Sequence, residues 1–190
     1  MSGEIPMEMG VPRPPTEKEI AHGRSLAAPE LVIRVPGDPV PQNQGKAGRW
    51  RAKDGREGLT IRQPSKVRNF KVELQERMYR AAVEAGMSPS YQGTFYGAQP
   101  LALSLVAVFT CPVTQHRKTM PVPRRPHTGR YGNLDNLIKP VGDAGEGVLW
   151  DDDGQICKYY EPFEKWVAAQ GEAPYLEIRV RPAAYTEGAR

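Results

Sequence analysis

Between Asn133 and Gln155 the chain gathers the residues best suited to chemistry. It reads Asn133-Leu134-Asp135-Asn136-Leu137-Ile138-Lys139, passes through Asp143, and ends in Trp150-Asp151-Asp152-Asp153-Gly154-Gln155. Carboxylates set close together, near one lysine and just after a cationic loop, are the donors a hard divalent cation needs when it faces a phosphate. A solvated acidic turn has the same composition, and both readings stand at this point. If residues 134 to about 145 are helical, Asp135, Lys139 and Asp143 are spaced i, i+4, i+8 and line one side. Leu134, Leu137 or Ile138, and Val141 then face a core. Pro140, Gly142 and Gly145 are poor interior helix residues, and Pro140 is tolerable only where the helix begins shortly before it.

Charge is distributed unevenly around this stretch. The whole chain of 190 residues has a formal charge of +4, but residues 40–130 carry 16 Lys and Arg against 5 Asp and Glu, and 11 of the 16 are Arg. Residues 131–190 reverse the balance, with 6 against 11. An arginine-rich block of this size is the footprint of a phosphate-backbone binder, since guanidinium groups make bidentate phosphate contacts. A solubilising surface is the plainer alternative. Candidate nucleic-acid contacts are Lys46, Arg49, Trp50 and Arg51 in one loop, Arg68 on a helix, and Arg117, Lys118, Arg124, Arg125 and Arg130 in a second loop. Trp50 suits stacking on an exposed base, or equally the role of a packing anchor. The second loop, 111–132, has no acidic residue and runs straight into Asn133.

The elements that must position these residues follow from hydrophobic period. Leu31–Val35 alternates as a short strand ended by Pro36-Gly37. Gly37–Arg62 reads as a long loop, functional or mobile. Pro64-Ser65 opens a helix whose apolar stripe is Val67, Phe70, Leu74, Met78, Ala81 and Ala85, with Ser65 as N-cap and Gly86 just past the end. Leu101–Thr110 is apolar on both faces and reads as a central strand. Gln155–Trp166 is a strand with Tyr159, Tyr160, Phe163 and Trp166 as packing residues. Tyr175–Arg181 is the last strand, expected to pair with its predecessor as a hairpin or meander. The expected architecture is a small α+β domain over 30–182, a mixed sheet with two main helices in the order β-α-β-α-β-β. A Pro-rich extension at 1–29, with a short helix at Thr16–Ala27, and a tail at 183–190 flank it.

Several classes are excluded. No run of about eighteen apolar residues offers a membrane span, and Met1–Pro15 lacks the basic patch and apolar run of a secretory signal. Cys111 and Cys157 have no metal-ligand spacing and read as reduced thiols of a cytoplasmic protein.

The stretch Asn133–Gln155 resembles the signature of the RusA family of Holliday junction resolvases. That signature is Asp-x-Asp-Asn, a lysine four residues after the second Asp, an Asp four further on, then Asp-Asp-x-Gln. The matching residues here are Asp135-Asn136, Lys139, Asp143 and Asp152-Asp153-Gly154-Gln155, and Val35–Pro41 resembles the family's first strand and turn. The resemblance covers roughly 31–182. It implies a homodimeric, Mg²⁺-dependent endodeoxyribonuclease, with Mn²⁺ as a substitute, that cuts four-way DNA junctions symmetrically. Carried over by position, the catalytic residues are Asn133, Asp135, Lys139 and Asp153. The metal donors are Asn133, Asp135, Asp153 and Asp152, the last as a ligand or as support behind the ligands. Asp143 is expected to orient Lys139. The family's first Asp is Asn133 here, which keeps a carbonyl oxygen but removes one negative charge. An amide placed deliberately to trap uncut DNA is the favoured explanation; a natural variant that cuts poorly, or binds without cutting, is the other.

Overall fold

The computed structural model describes residues 28–42, 46–62, 64–129 and 132–183. The helix expected at Thr16–Ala27, Arg130 and the tail after 183 lie outside the described residues. Strand β1 is Leu31–Pro36, β2 Lys46–Arg51, β3 Glu57–Arg62, β4 Leu101–Phe109, β5 Arg125–Pro126, β6 Ile156–Val167 and β7 Tyr175–Pro182. Helix α1 is Ser65–Glu84 and α2 is Leu134–Gly145.

Five strands form one mixed sheet in the order β1-β7-β4-β6-β5, so β4 is central as its composition requires. Leu101, Leu103, Leu105, Ala107 and Phe109 face the core beneath the helices. On the other face Ala102, Ser104 and Val108 are also buried. A strand apolar on both faces needs a neighbour on each side. Here β7 takes one side antiparallel and β6 takes the other parallel. The expected β6–β7 hairpin is therefore not formed: β4 lies between them, and β7 runs on to pair with β1. In β1, alternation buries Leu31, Ile33 and Val35.

The stretch expected as a loop at Gly37–Arg62 contains an antiparallel hairpin, β2–β3, with Arg51 opposite Glu57. Its turn is built on Asp54-Gly55. Gly55 takes φ +86°, and the Asp54 carboxylate accepts from the Arg56 backbone N–H at 3.2 Å and from its Nε at 2.8 Å. Asp-Gly between two strands is a hairpin signal, hidden here by flanks too polar to alternate.

In α1 the buried stripe is Val67, Phe70, Leu74, Met78 and Ala82. In the last turn Ala81 packs half-buried against the core as expected, Ala82 is fully buried, and Ala85, expected on the stripe, is exposed. Pro64, not Ser65, holds the N-cap, and its carbonyl accepts from Val67 and Arg68. Packing of α1 against α2 and the sheet closes the core over Leu74, Met78, Leu137 and Val141.

Candidate active site

Phe109, at the end of β4, sets where α2 begins. His127 lies against its ring, with centroids 4.7 Å apart. Gly132 passes so close to that ring that a Cβ there would overlap it, and its φ of +71° also calls for glycine. Asn133 then occupies the N-cap of α2 but makes no side-chain capping bond, so its amide is not engaged with the helix. Leu137, Val141 and Ala144 turn inward. Asp135 and Lys139 are exposed on a different side. Asp135 also sits in the first turn, where the helix dipole favours an anion.

Pro140 is inside this helix, six residues past its start, and it solves a positioning problem rather than creating one. Proline has no N–H, so the Asn136 carbonyl four residues back receives no helical bond. The Gln42 backbone N–H donates to that carbonyl at 2.8 Å. The segment leaving β1 toward the cationic β2–β3 hairpin is thereby tied to the first turns of α2.

The second piece of the site is fixed from the other end. Trp150 is fully buried, and its indole fills the space over Gly145 so closely that no Cβ fits there. Directly after it, Gln155 clamps the acidic turn. Its Oε1 accepts from the backbone N–H of Asp151 at 2.7 Å and of Asp152 at 2.9 Å. Its Nε2 donates to the carbonyls of Gly97 at 2.6 Å and Gln99 at 2.9 Å. The Thr94 hydroxyl donates to Asp151 at 2.5 Å. Asp152 caps the 3₁₀ turn Asp153–Gln155, accepting from Gly154 N–H at 2.7 Å.

This leaves Asp153 exposed and pressed against α2: a Cβ built on Gly142 would stand 3.7 Å from the Asp153 Cβ and 3.8 Å from its Oδ2. Gly142 is seven residues from Asp135, two turns along the same side and about 10 Å along the axis. Asp135, Lys139 and Asp153 thus share one side of α2. Asp143 takes Lys71 of α1 as its ion-pair partner in place of the expected Lys139. Nothing in sequence spacing joins Lys71 to Asp143, because the pair depends on how α1 crosses α2.

The cationic residues divide into groups. Arg49 and Arg51 are exposed on β2, with Arg51 paired to Glu57 at 3.2 Å. Lys46 and Trp50 belong to the same strand, but their side chains lie outside the described part of the structure. Arg68 is exposed on α1, and Arg77 is bonded to Glu73 at 3.0 Å. In the second loop Arg117 and Lys118 are exposed. Arg124 is not without a counter-charge, because Glu172, from the turn before β7, pairs with it; this holds the Glu172 carboxyl below its ordinary range. Arg125 is half-buried and bonded to Gln115. This loop pairs through β5 with Trp166 and Val167, at the far end of β6 from Asp153. It runs directly into the Asn133 end of α2.

Among the described residues no three His, Cys, Asp or Glu side chains converge as a metal cage. Asp135, Asp153 and Asn133 offer two carboxylates and one neutral carbonyl oxygen, all exposed. Such a donor set fits Mg²⁺, which binds through one or two carboxylates and keeps several waters. It does not suit an ion that seeks thiolate or imidazole.

No curated protein is similar enough to the chain to match it. A family match is found, and it spans both halves of the site, from the turn after β1 through α2 and the clamped acidic turn to the end of β7. Over residues 36–181 the chain matches endodeoxyribonuclease RusA, and it belongs to that family.

Proposed function

We propose that this chain is a structure-selective endodeoxyribonuclease that resolves four-way DNA junctions by Mg²⁺-dependent phosphodiester hydrolysis. The observation that carries the reading is the seating of Asp153 against Gly142, which brings two distant segments to one side of α2. Asp135 and Asp153, with the Asn133 carbonyl, are the residues that would hold the cation. When bound, a divalent ion lowers the pKa of an attacking water and draws charge from the phosphate. Lys139, one turn from Asp135, presents its ammonium to charge developing on the phosphate oxygens. Asp152 supports the turn as a cap while Asp153 faces outward, and Lys71 holds Asp143. The exposed Arg49, Arg51 and Arg68 supply backbone contacts that attract DNA without reading its sequence. Two copies about a two-fold axis would set two such sites on the two symmetry-related strands of a junction. Both thiols, buried Cys111 and exposed Cys157, are unbridged, as suits a cytoplasmic enzyme.

Asn133 favours a second reading. With one ligand neutral, the cation is held less tightly, and the same scaffold could bind branched or single-stranded DNA without cutting. Incubating a synthetic four-way junction with the chain, with and without Mg²⁺, separates the two. The resolvase reading expects paired nicks that require Mg²⁺, vanish in Asp153→Ala and strengthen in Asn133→Asp. Tight binding with no nicks in any of these variants establishes the non-catalytic reading. If Asn133→Asp cuts no faster than the parent chain, position 133 is not a ligand.

A further inference from the structure

Tyr159 was expected to pack, yet it is 48% exposed. It is not loose. Its ring lies on Phe163, with centroids 5.2 Å apart and planes at 45°, and Phe163 packs in turn against the main core. The register explains the pair. Leu103 of β4 faces Tyr159 and Leu105 faces Phe163, so four residues of β6 match two of β4. That bulge brings Tyr159 and Phe163 side by side on the face that carries the helices, because Leu103 and Leu105 both point into the helix-side core. Among the described residues β5 pairs with β6 only at Trp166 and Val167, so no described strand covers the β6 edge beside them. Tyr159 is also close enough to Asp153 for that carboxylate, after partial burial, to raise the phenol above its ordinary value.

We propose that Tyr159, backed by Phe163, is a stacking platform for an unstacked base face next to the phosphate that is cut. This rests on the functional reading above and deepens it. A strand whose phosphate lies at Asp153 must lay its neighbouring nucleotide over the first residues of β6, and the aromatic face there is Tyr159. In a continuous duplex each base is covered by its neighbours, so the ring has nothing to stack on. At a branch point a base face is free. Stacking of this kind ignores base identity and strengthens binding by about tenfold or more per base. Tyr159 thus selects for DNA shape, separately from the charges that attract any DNA.

The test uses the full chain in EDTA, so that nothing is cut. The probes are a four-way junction carrying 2-aminopurine at the nucleotides flanking the branch point, and a linear duplex of matching sequence. The unmodified chain should change 2-aminopurine emission at one flanking position. Tyr159→Leu, which keeps apolar bulk without a π-face, should abolish that change and weaken junction binding about tenfold, with duplex binding unaltered. Tyr159→Phe and Tyr159→Trp should retain both. A second readout needs no variant: junction should shield Tyr159 from nitration by tetranitromethane, while Tyr91, fully exposed in the loop before β4, serves as internal reference. Unchanged emission and affinity in Tyr159→Leu, or equal nitration of Tyr159 with and without junction, overturns the platform. A parent chain that binds junction no better than duplex overturns the functional reading, and the platform with it.

Discussion

Replacing Gln155 by alanine removes four hydrogen bonds at once, two to the acidic turn and two to the loop at Gly97 and Gln99. Each orphaned group costs about 1–3 kcal/mol where water cannot replace the partner. The turn is exposed at Asp152, Asp153 and Gly154 and half-buried at Asp151 and Gln155, so water replaces part of what is lost and a total of about 1–3 kcal/mol is expected in denaturant melts. The turn that aims Asp153 should loosen as well, so kcat for junction cleavage should fall while DNA affinity holds. A fall in affinity alone would mean that Gln155 touches DNA rather than positioning Asp153. His127 permits a pH test at the same scale. Burial, then the charge of Lys165, push its imidazole below the ordinary 6.5, and among the described residues its buried Nδ1 has no hydrogen-bond partner. The unfolded chain therefore takes up the proton first as pH falls. Stability is full above 6.5 and declines as pH drops through 6.5 and then through the lower folded value. Melting temperatures followed from about pH 7.5 to about pH 5 should show a decline that His127→Gln makes shallower. The candidate site residues at 135, 139 and 153 can be named from the sequence because a short polar signature marks them. Tyr159 reads as core in the sequence because an aromatic in a strand is ordinarily buried, and neither its exposure nor the bulge that sets it beside Phe163 has a local signal.

At the scale of elements, α1, α2, β1, β4 and β7 were readable from hydrophobic period, and their bounds agree closely. Two features were not. The β2–β3 hairpin carries too many charges to show alternation, and only Asp54-Gly55 marked it. The sheet order could not be read either, since nothing local tells β7 to settle between β1 and β4 rather than beside β6. Pro140 is the most informative misfit. It looked like a constraint on where α2 starts, and it instead leaves the Asn136 carbonyl for Gln42. Pro140→Ala restores the helical donor and removes a residue that costs about 3 kcal/mol in a helix interior. Global melting temperature should rise while the Gln42 amide exchanges faster with deuterium. Slower exchange at Gln42, in step with the helix, would show that its bond to Asn136 does not depend on the missing N–H.

At the scale of the molecule, the site is made by convergence. Helix α2 leaves the Phe109 end of β4 and carries Asn133, Asp135 and Lys139. The chain returns past the buried Trp150 and delivers Asp153 to the same side of that helix. The charge imbalance between the middle and the end of the sequence gains a physical meaning from this arrangement. Cations on β2, α1 and the 111–129 loop attract a polyanion, and the carboxylates on α2 and at Asp153 are the proposed donors for the cation that activates the phosphate for cutting. The account therefore depends on Asp135 and Asp153 serving one ion. Mn²⁺ binding, followed by electron paramagnetic resonance on the parent chain, on Asp135→Asn and on Asp153→Asn, tests this without reference to activity. The expected result is a site in the parent chain that either substitution abolishes. Undiminished Mn²⁺ binding in either variant would contradict it.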